Sequence, residues 1–168
     1  MTKACWQTAF ALAVLCGSPA WAQLEARRTL HGLDAVGLVI ENVHPDAERR
    51  GVSKARLEKD IALRLEQAGV RVLANGQEEG VPGRPLLRLQ VAITPLDDLP
   101  LYNATITLQL RQSACLTRNL IICETVTTWE DAGVTRAVGV SRLASVQQDV
   151  RDMVDRFLDA YRAENPKR

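Results

Sequence analysis

The chain has 168 residues, 21 lysines and arginines against 20 aspartates and glutamates, and 46% hydrophobic residues. Charge this balanced, with no basic or acidic tail, argues against a nucleic-acid partner, and the length suits one domain with a sizeable core. Aromatic residues make up only 4%, so that core has to be built mainly from Leu, Val, Ile and Ala.

Residues 1–22 read as a cleaved signal peptide. Lys3 is their only charge, an apolar run covers residues 9–16, and Ala20-Trp21-Ala22 after Pro19 forms a small-residue cleavage site before Gln23. The run is too short for a comfortable membrane span, which needs about 20 residues. Two rivals remain open: a lipoprotein anchored through Cys16, although Leu15 is large for the residue before such a cysteine, and a retained anchor. Removing residues 1–22 of the 168 leaves 146, with 20 basic residues against 20 acidic ones. The expectation is therefore a periplasmic chain, residues 23–168, forming a single domain without a transmembrane span.

Residues 23–29 are polar and read as a lead-in. Residues 33–43 are rich in Val and Ile, with Val36, Leu38 and Ile40 alternating, which predicts a first strand with one buried face. His44-Pro45-Asp46 breaks it, and a charged loop is expected up to Gly51. Helix one starts after Ser53 and carries the stripe Leu57, Ile61, Leu65 and Ala68, with Gly69 placed for a left-handed cap. Residues 70–73 alternate as a short strand, and residues 75–85 are turn and loop chemistry.

Residues 86–94 form the clearest strand, with Leu87, Leu89, Val91 and Ile93 on one side and Arg88, Gln90 and Ala92 on the other. Residues 102–130 then read as a hairpin. Ala104, Ile106, Leu108 and Leu110 point one way, and Thr105, Thr107, Gln109 and Arg111 the other. One apolar and one polar face per strand marks an antiparallel sheet covered on a single side. After Glu130 a glycine-containing connection is expected. A second helix, from Ser141 to about Ala163, carries Leu143, Val146, Val150, Met153, Val154, Phe157 and Tyr161 at helical period. The order β-α-β-β-β-β-α predicts an α+β two-layer sandwich, a mostly antiparallel sheet with two helices on one face. The first strand, helix one and the strand at residues 70–73 make a right-handed crossover if those strands are parallel.

Four cysteines reduce to two once the leader is removed. Export makes Cys115 and Cys123 an expected disulfide across the hairpin, with two free thiols as the alternative. If Cys115 opposes Cys123, then Arg111 opposes Thr127 and Gln109 opposes Trp129. Trp129, Gln109, Arg111, Thr107 and Thr127 then share a Thr-rich face that reads as a candidate binding surface. The competing reading tucks Trp129 under the connection after Glu130, and one bulge would reverse its facing.

Nothing in the chain has catalytic spacing. His31 and His44 make no metal-ligand pair, no Ser sits in a nucleophile elbow, and the glycines near residue 80 lack a phosphate-loop pattern. Asp97 and Asp98 read as a solvated turn. Asp149, Asp152, Asp155 and Asp159 alternate with Arg151 and Arg156, which suits a salt-bridged helix surface. No cofactor, metal or catalytic residue is assigned.

LVIENV, EQAGVRVL, PLLRLQVAI, the LQLRQ…LTR strand, TTWE and VRDMVDRFLDAYRAENP together resemble a family of small exported bacterial proteins. The resemblance covers roughly residues 29–167 and implies export and this fold. That family has no assigned activity, and the cysteine pair is not part of its pattern. The layout is also similar, at fold level alone, to the lipopolysaccharide-assembly lipoprotein of the outer membrane. The expected function is a non-catalytic binding or envelope-assembly module whose partner is another envelope protein or component. A carrier of a small apolar ligand, lipid or quinone, is the alternative, and a hydrolase whose residues converge only on folding is a third class.

Overall fold

The computed structural model describes residues 26–41, 43–96 and 98–166. The expected leader, residues 1–22, lies outside them. Within them the chain is an α+β fold: a five-stranded, mostly antiparallel sheet with its helices packed on one side. The elements are β1 (Ala35–Ile40), α1 (Pro45–Arg49), α2 (Lys54–Ala68), β2 (Arg71–Leu73), β3 (Leu86–Pro95), β4 (Leu101–Leu116), β5 (Asn119–Gly139) and α3 (Val146–Glu164). The sheet order is β2-β1-β3-β4-β5.

Strand β1 pairs parallel with both β2 and β3, and the pairs β3–β4 and β4–β5 are antiparallel. The parallel β1–β2 pair, joined through α2, meets the condition set for the crossover. Alternation works as expected on the covered side. Leu87, Leu89, Val91 and Ile93 of β3 and Ala104, Ile106, Leu108 and Leu110 of β4 are all buried. Leu57, Ile61 and Leu65 of α2 and Val146, Val150, Met153 and Phe157 of α3 close over them in one continuous core.

Helix α2 follows Ser53 and ends at Gly69, whose φ of 92° is the left-handed conformation open to glycine. Its Arg64 reaches Asp155 of α3 at 2.7 Å, tying the helices together on their wet sides.

Three segments differ from expectation. The charged stretch after β1 contains a short helix, α1, rather than a loop. Pro45 starts it, where a missing N–H costs nothing, and Ala47 and Val52 are buried and joined by the bond from Val52 N–H to Ala47 O. The second helix is preceded by a 3-10 helix, Val140–Ser145, which buries Leu143 before the α-helical turns begin.

The largest difference is the stretch after Glu130, which is strand rather than connection. Strand β5 runs on to Gly139 and pairs with β4 back to Leu101. It does so by accepting irregularities. Residues 131 and 134 face Leu108 and Ile106, leaving an extra residue in β5, and Gly133 there has a φ of 73°. A Cβ on Gly133 would lie 1.5 Å from the Ile106 carbonyl oxygen. Only glycine lets the two backbones meet in this way.

Candidate functional site

The sheet leaves one face uncovered across β3, β4 and β5, and that face carries few charges. Gln90 pairs with Thr107, Thr94 with Asn103, and Thr105 with Thr135, whose hydroxyls lie 3.3 Å apart. The Gln109 amide donates to Glu130 at 3.2 Å. Arg111 reaches the Thr125 carbonyl at 3.5 Å, and Arg88 pairs with Glu41 of the segment after β1. Most of these side chains are exposed or half-buried, so the surface is a broad array of hydroxyl and amide groups.

Four of the five expected binding-face residues belong to this surface: Thr107, Gln109, Arg111 and Thr127. Arg111 opposes Thr127, and Cys115 opposes Cys123, as the hairpin register requires. Trp129 does not belong to it. Between Leu110 and Arg111 the register slips by one residue, so Thr128 is extra, Trp129 opposes Leu110, and Gln109 opposes Glu130. Every side chain beyond the slip changes face. Trp129 therefore turns into the core, 8% exposed, with its ring edge-on to Phe157 at 5.1 Å and 73°. An aromatic ring at this point of β5 is better accommodated beneath α3 than in water.

Beside Trp129, along the free edge of β5, runs an open groove of about 690 Å³. Its walls include Arg27, Thr127, Thr128, Glu130 and the ion pair of Asp131 with Arg156, which closes to 2.6 Å. Sequence reasoning missed this groove, because it exists only once β5 continues past Glu130 and α3 lies against it. Arg136, further along, donates to Asp149 at 2.9 Å and ties β5 to the start of α3.

The acidic row on α3 is engaged as a salt-bridged surface. Asp149 pairs with Arg136, Asp155 with Arg64, and Asp159 with Arg162, while Asp152 accepts from Gln148. Asp98 is exposed with a φ of 62°, and Asp97 lies outside the described residues. Among the described residues no group of three or more His, Cys, Asp or Glu is placed to hold a metal. His31 meets the Glu164 carbonyl at 2.8 Å, where it helps seat the end of α3. Tyr161, nearly buried, has its phenol held above the ordinary value of 10.0 by burial and by the Asp34 carboxylate.

Beyond β3 the hairpin continues, held at its root by Ser113 N–H donating to the Gly83 carbonyl at 2.6 Å and by Gln112 donating to the Thr29 carbonyl. Leu86, the first residue of β3, faces Arg111, so residues 112–126 project as a two-stranded arm. Cys115 and Cys123 are bridged on this arm, with Cα atoms 4.0 Å apart. The ladder inside the bridge is uneven. Leu116 faces Asn119, and Leu120, Ile121 and Ile122 bulge out before Cys123. Ile121 is 92% exposed and Leu120 71%. The aliphatic run could be read in the sequence, but its projection depends on β3 stopping short.

No family model matches the chain, and no curated protein matches it. Two solved structures of the PelC dodecamer from Paraburkholderia phytofirmans are similar in outline. One, a point-substituted form, matches with 17% identity over 78% of this chain and 89% of that one, TM-score 0.42. The other, from a different crystal form, matches with 19% identity over 77% and 87%, TM-score 0.40.

Proposed function

We propose that the chain is an exported, non-catalytic binding or assembly module that presents the open face of its sheet to another component of the cell envelope. The observation that carries this reading is the asymmetry of the sheet. One face is sealed by helices, and the other displays Gln90, Thr105, Thr107, Gln109, Thr127 and Thr135 to solvent. Side chains of this kind can donate and accept hydrogen bonds and lose little on leaving water if a partner supplies matching groups. The bridge between Cys115 and Cys123 suits an oxidising compartment.

The test is site-specific photocrosslinking in cells, with the reactive side chain at Thr105 or Gln109 and, as control, at Glu58 on the outer side of α2. The expected result is one envelope species captured from both sheet positions, absent from Glu58, and lost when Thr107 is replaced by Lys. Equal capture from all three positions, or none from the sheet, would remove the proposal.

A further inference from the structure

We infer that the disulfide-closed tip of the β4–β5 arm is a membrane-contact element that rests on an anionic lipid surface. This inference concerns the arm alone and stands whether or not the open sheet face takes a partner.

The arm ends in Leu120, Ile121 and Ile122, three consecutive aliphatic side chains pushed into solvent, with Leu116 36% exposed beside them. They do not share one face of a strand. They bulge between Asn119 and Cys123, and all three are exposed. A flat protein partner would cover one side of such a knob, whereas the interfacial layer of a bilayer receives it from all sides.

Charge points the same way. From Cys115 to Cys123 the only ionisable side chain is Arg118, and no carboxylate lies between the cysteines. A guanidinium beside aliphatic residues can reach lipid phosphates while its neighbours enter the acyl boundary. Backbone polarity is the usual obstacle, since an N–H entering an apolar layer must be satisfied from within. At the most exposed residue it is, because Ile121 N–H donates to the Asn119 side-chain oxygen at 3.1 Å. The disulfide holds this loop closed, so the aliphatic groups are displayed without first having to be ordered.

The root of the arm is tied to the segment before β1. Ala26 lines the groove at Thr127 and Thr128, Thr29 Oγ1 donates to the Thr128 carbonyl at 3.2 Å, and Gln112 donates to the Thr29 carbonyl at 3.2 Å.

The probe is a set of large unilamellar vesicles, phosphatidylethanolamine with one quarter phosphatidylglycerol, against pure phosphatidylcholine. The protein is the chain from Gln23 to Arg168, which excludes the apolar run and retains every core residue from Leu30 to Tyr161. Co-sedimentation of the oxidised chain with the anionic vesicles is expected, falling at least tenfold in Ile121→Asp and several-fold in Arg118→Glu. Leu99→Asp, an exposed leucine in the β3–β4 turn, should bind as the parent does. Circular dichroism should find all three variants folded, because each altered side chain lies outside the core. Failure of the parent chain to bind anionic vesicles, or undiminished binding by Ile121→Asp, would overturn the inference. So would sedimentation showing a dimer that Ile121→Asp dissolves without vesicle binding, since a second copy would then be the occupant.

Discussion

Gly133 decides how the longest strand of the protein is built. Its φ of 73° and its approach to the Ile106 carbonyl leave no place for a side chain, since a Cβ would sit 1.5 Å from that oxygen. Gly133→Ala is therefore expected to destabilise by more than the ~1 kcal/mol of an ordinary glycine substitution, roughly 3 kcal/mol or more, because backbone must move as well. A urea midpoint equal to the parent's would mean that the bulge relaxes freely. Tyr161 gives a pH signature at the same scale. Burial and Asp34 raise its phenol in the folded state, so the native chain keeps a proton that the unfolded chain releases. That contribution is complete below the unfolded value near 10.0 and is lost as pH rises through the folded one. In Tyr161→Phe, stability measured from pH 8 to 11 should decline less steeply than in the parent, and equal slopes would discount the residue. Trp129 shows where single residues escape sequence reasoning. Alternation places it opposite Gln109, and one extra residue at Thr128 sends it to the other face. The slip has no glycine or proline to announce it.

Elements were more legible than their ends. Helix α2, with its serine start, stripe and glycine stop, could be read directly, because hydrophobic period and capping chemistry agree there. Helix α1 could not, since five residues are too few for a period to develop. The second half of β5 was masked by Gly133, which marks a bulge rather than a turn. Helix α3 is the element on which the covered face depends most. Its Val150 is 1% exposed, and Val150→Asp would bury a carboxylate without a partner, at a cost of several kcal/mol in a domain whose whole stability is about 5–15 kcal/mol. Loss of the cooperative denaturation transition is expected. A parent-like midpoint would place α3 elsewhere. The arm behaves differently, because its disulfide lies outside the core. Closing so short a loop should contribute about 2–3 kcal/mol, and reduction should act locally first. Hydrogen exchange after reduction is expected to quicken at residues 113–125 while β3 stays protected, and uniform quickening would tie the bridge to the whole fold.

At the scale of the whole molecule, a single apolar core joins pieces that are far apart in the chain. Leu30 precedes the first strand and Tyr161 lies near the end of the last helix, and both are buried in the same cluster. The parallel half, with β1, β2 and α2, and the antiparallel half, with β3, β4, β5 and α3, share that core. They are also linked at its surface by Arg64 with Asp155 and by Arg151 with Asp60 at 3.7 Å. Neither half can open without exposing the apolar side of the other, because α2, over β1 and β2, and α3, over β4 and β5, pack against each other on one sheet. Exposed ion pairs add little to this, about 0–1 kcal/mol each, so the coupling rests on shared burial. The chain should then unfold as one unit. Trp129 makes this measurable, since it is the only tryptophan in the chain from Gln23 and sits against Phe157 in the antiparallel half. Its fluorescence reports that half alone, whereas far-ultraviolet circular dichroism at 222 nm sums both helices. The two urea transitions are expected to share one midpoint and one slope. A fluorescence midpoint displaced from the dichroism midpoint would mean that the halves melt separately and that the interface between α2 and α3 is weaker than their common core implies.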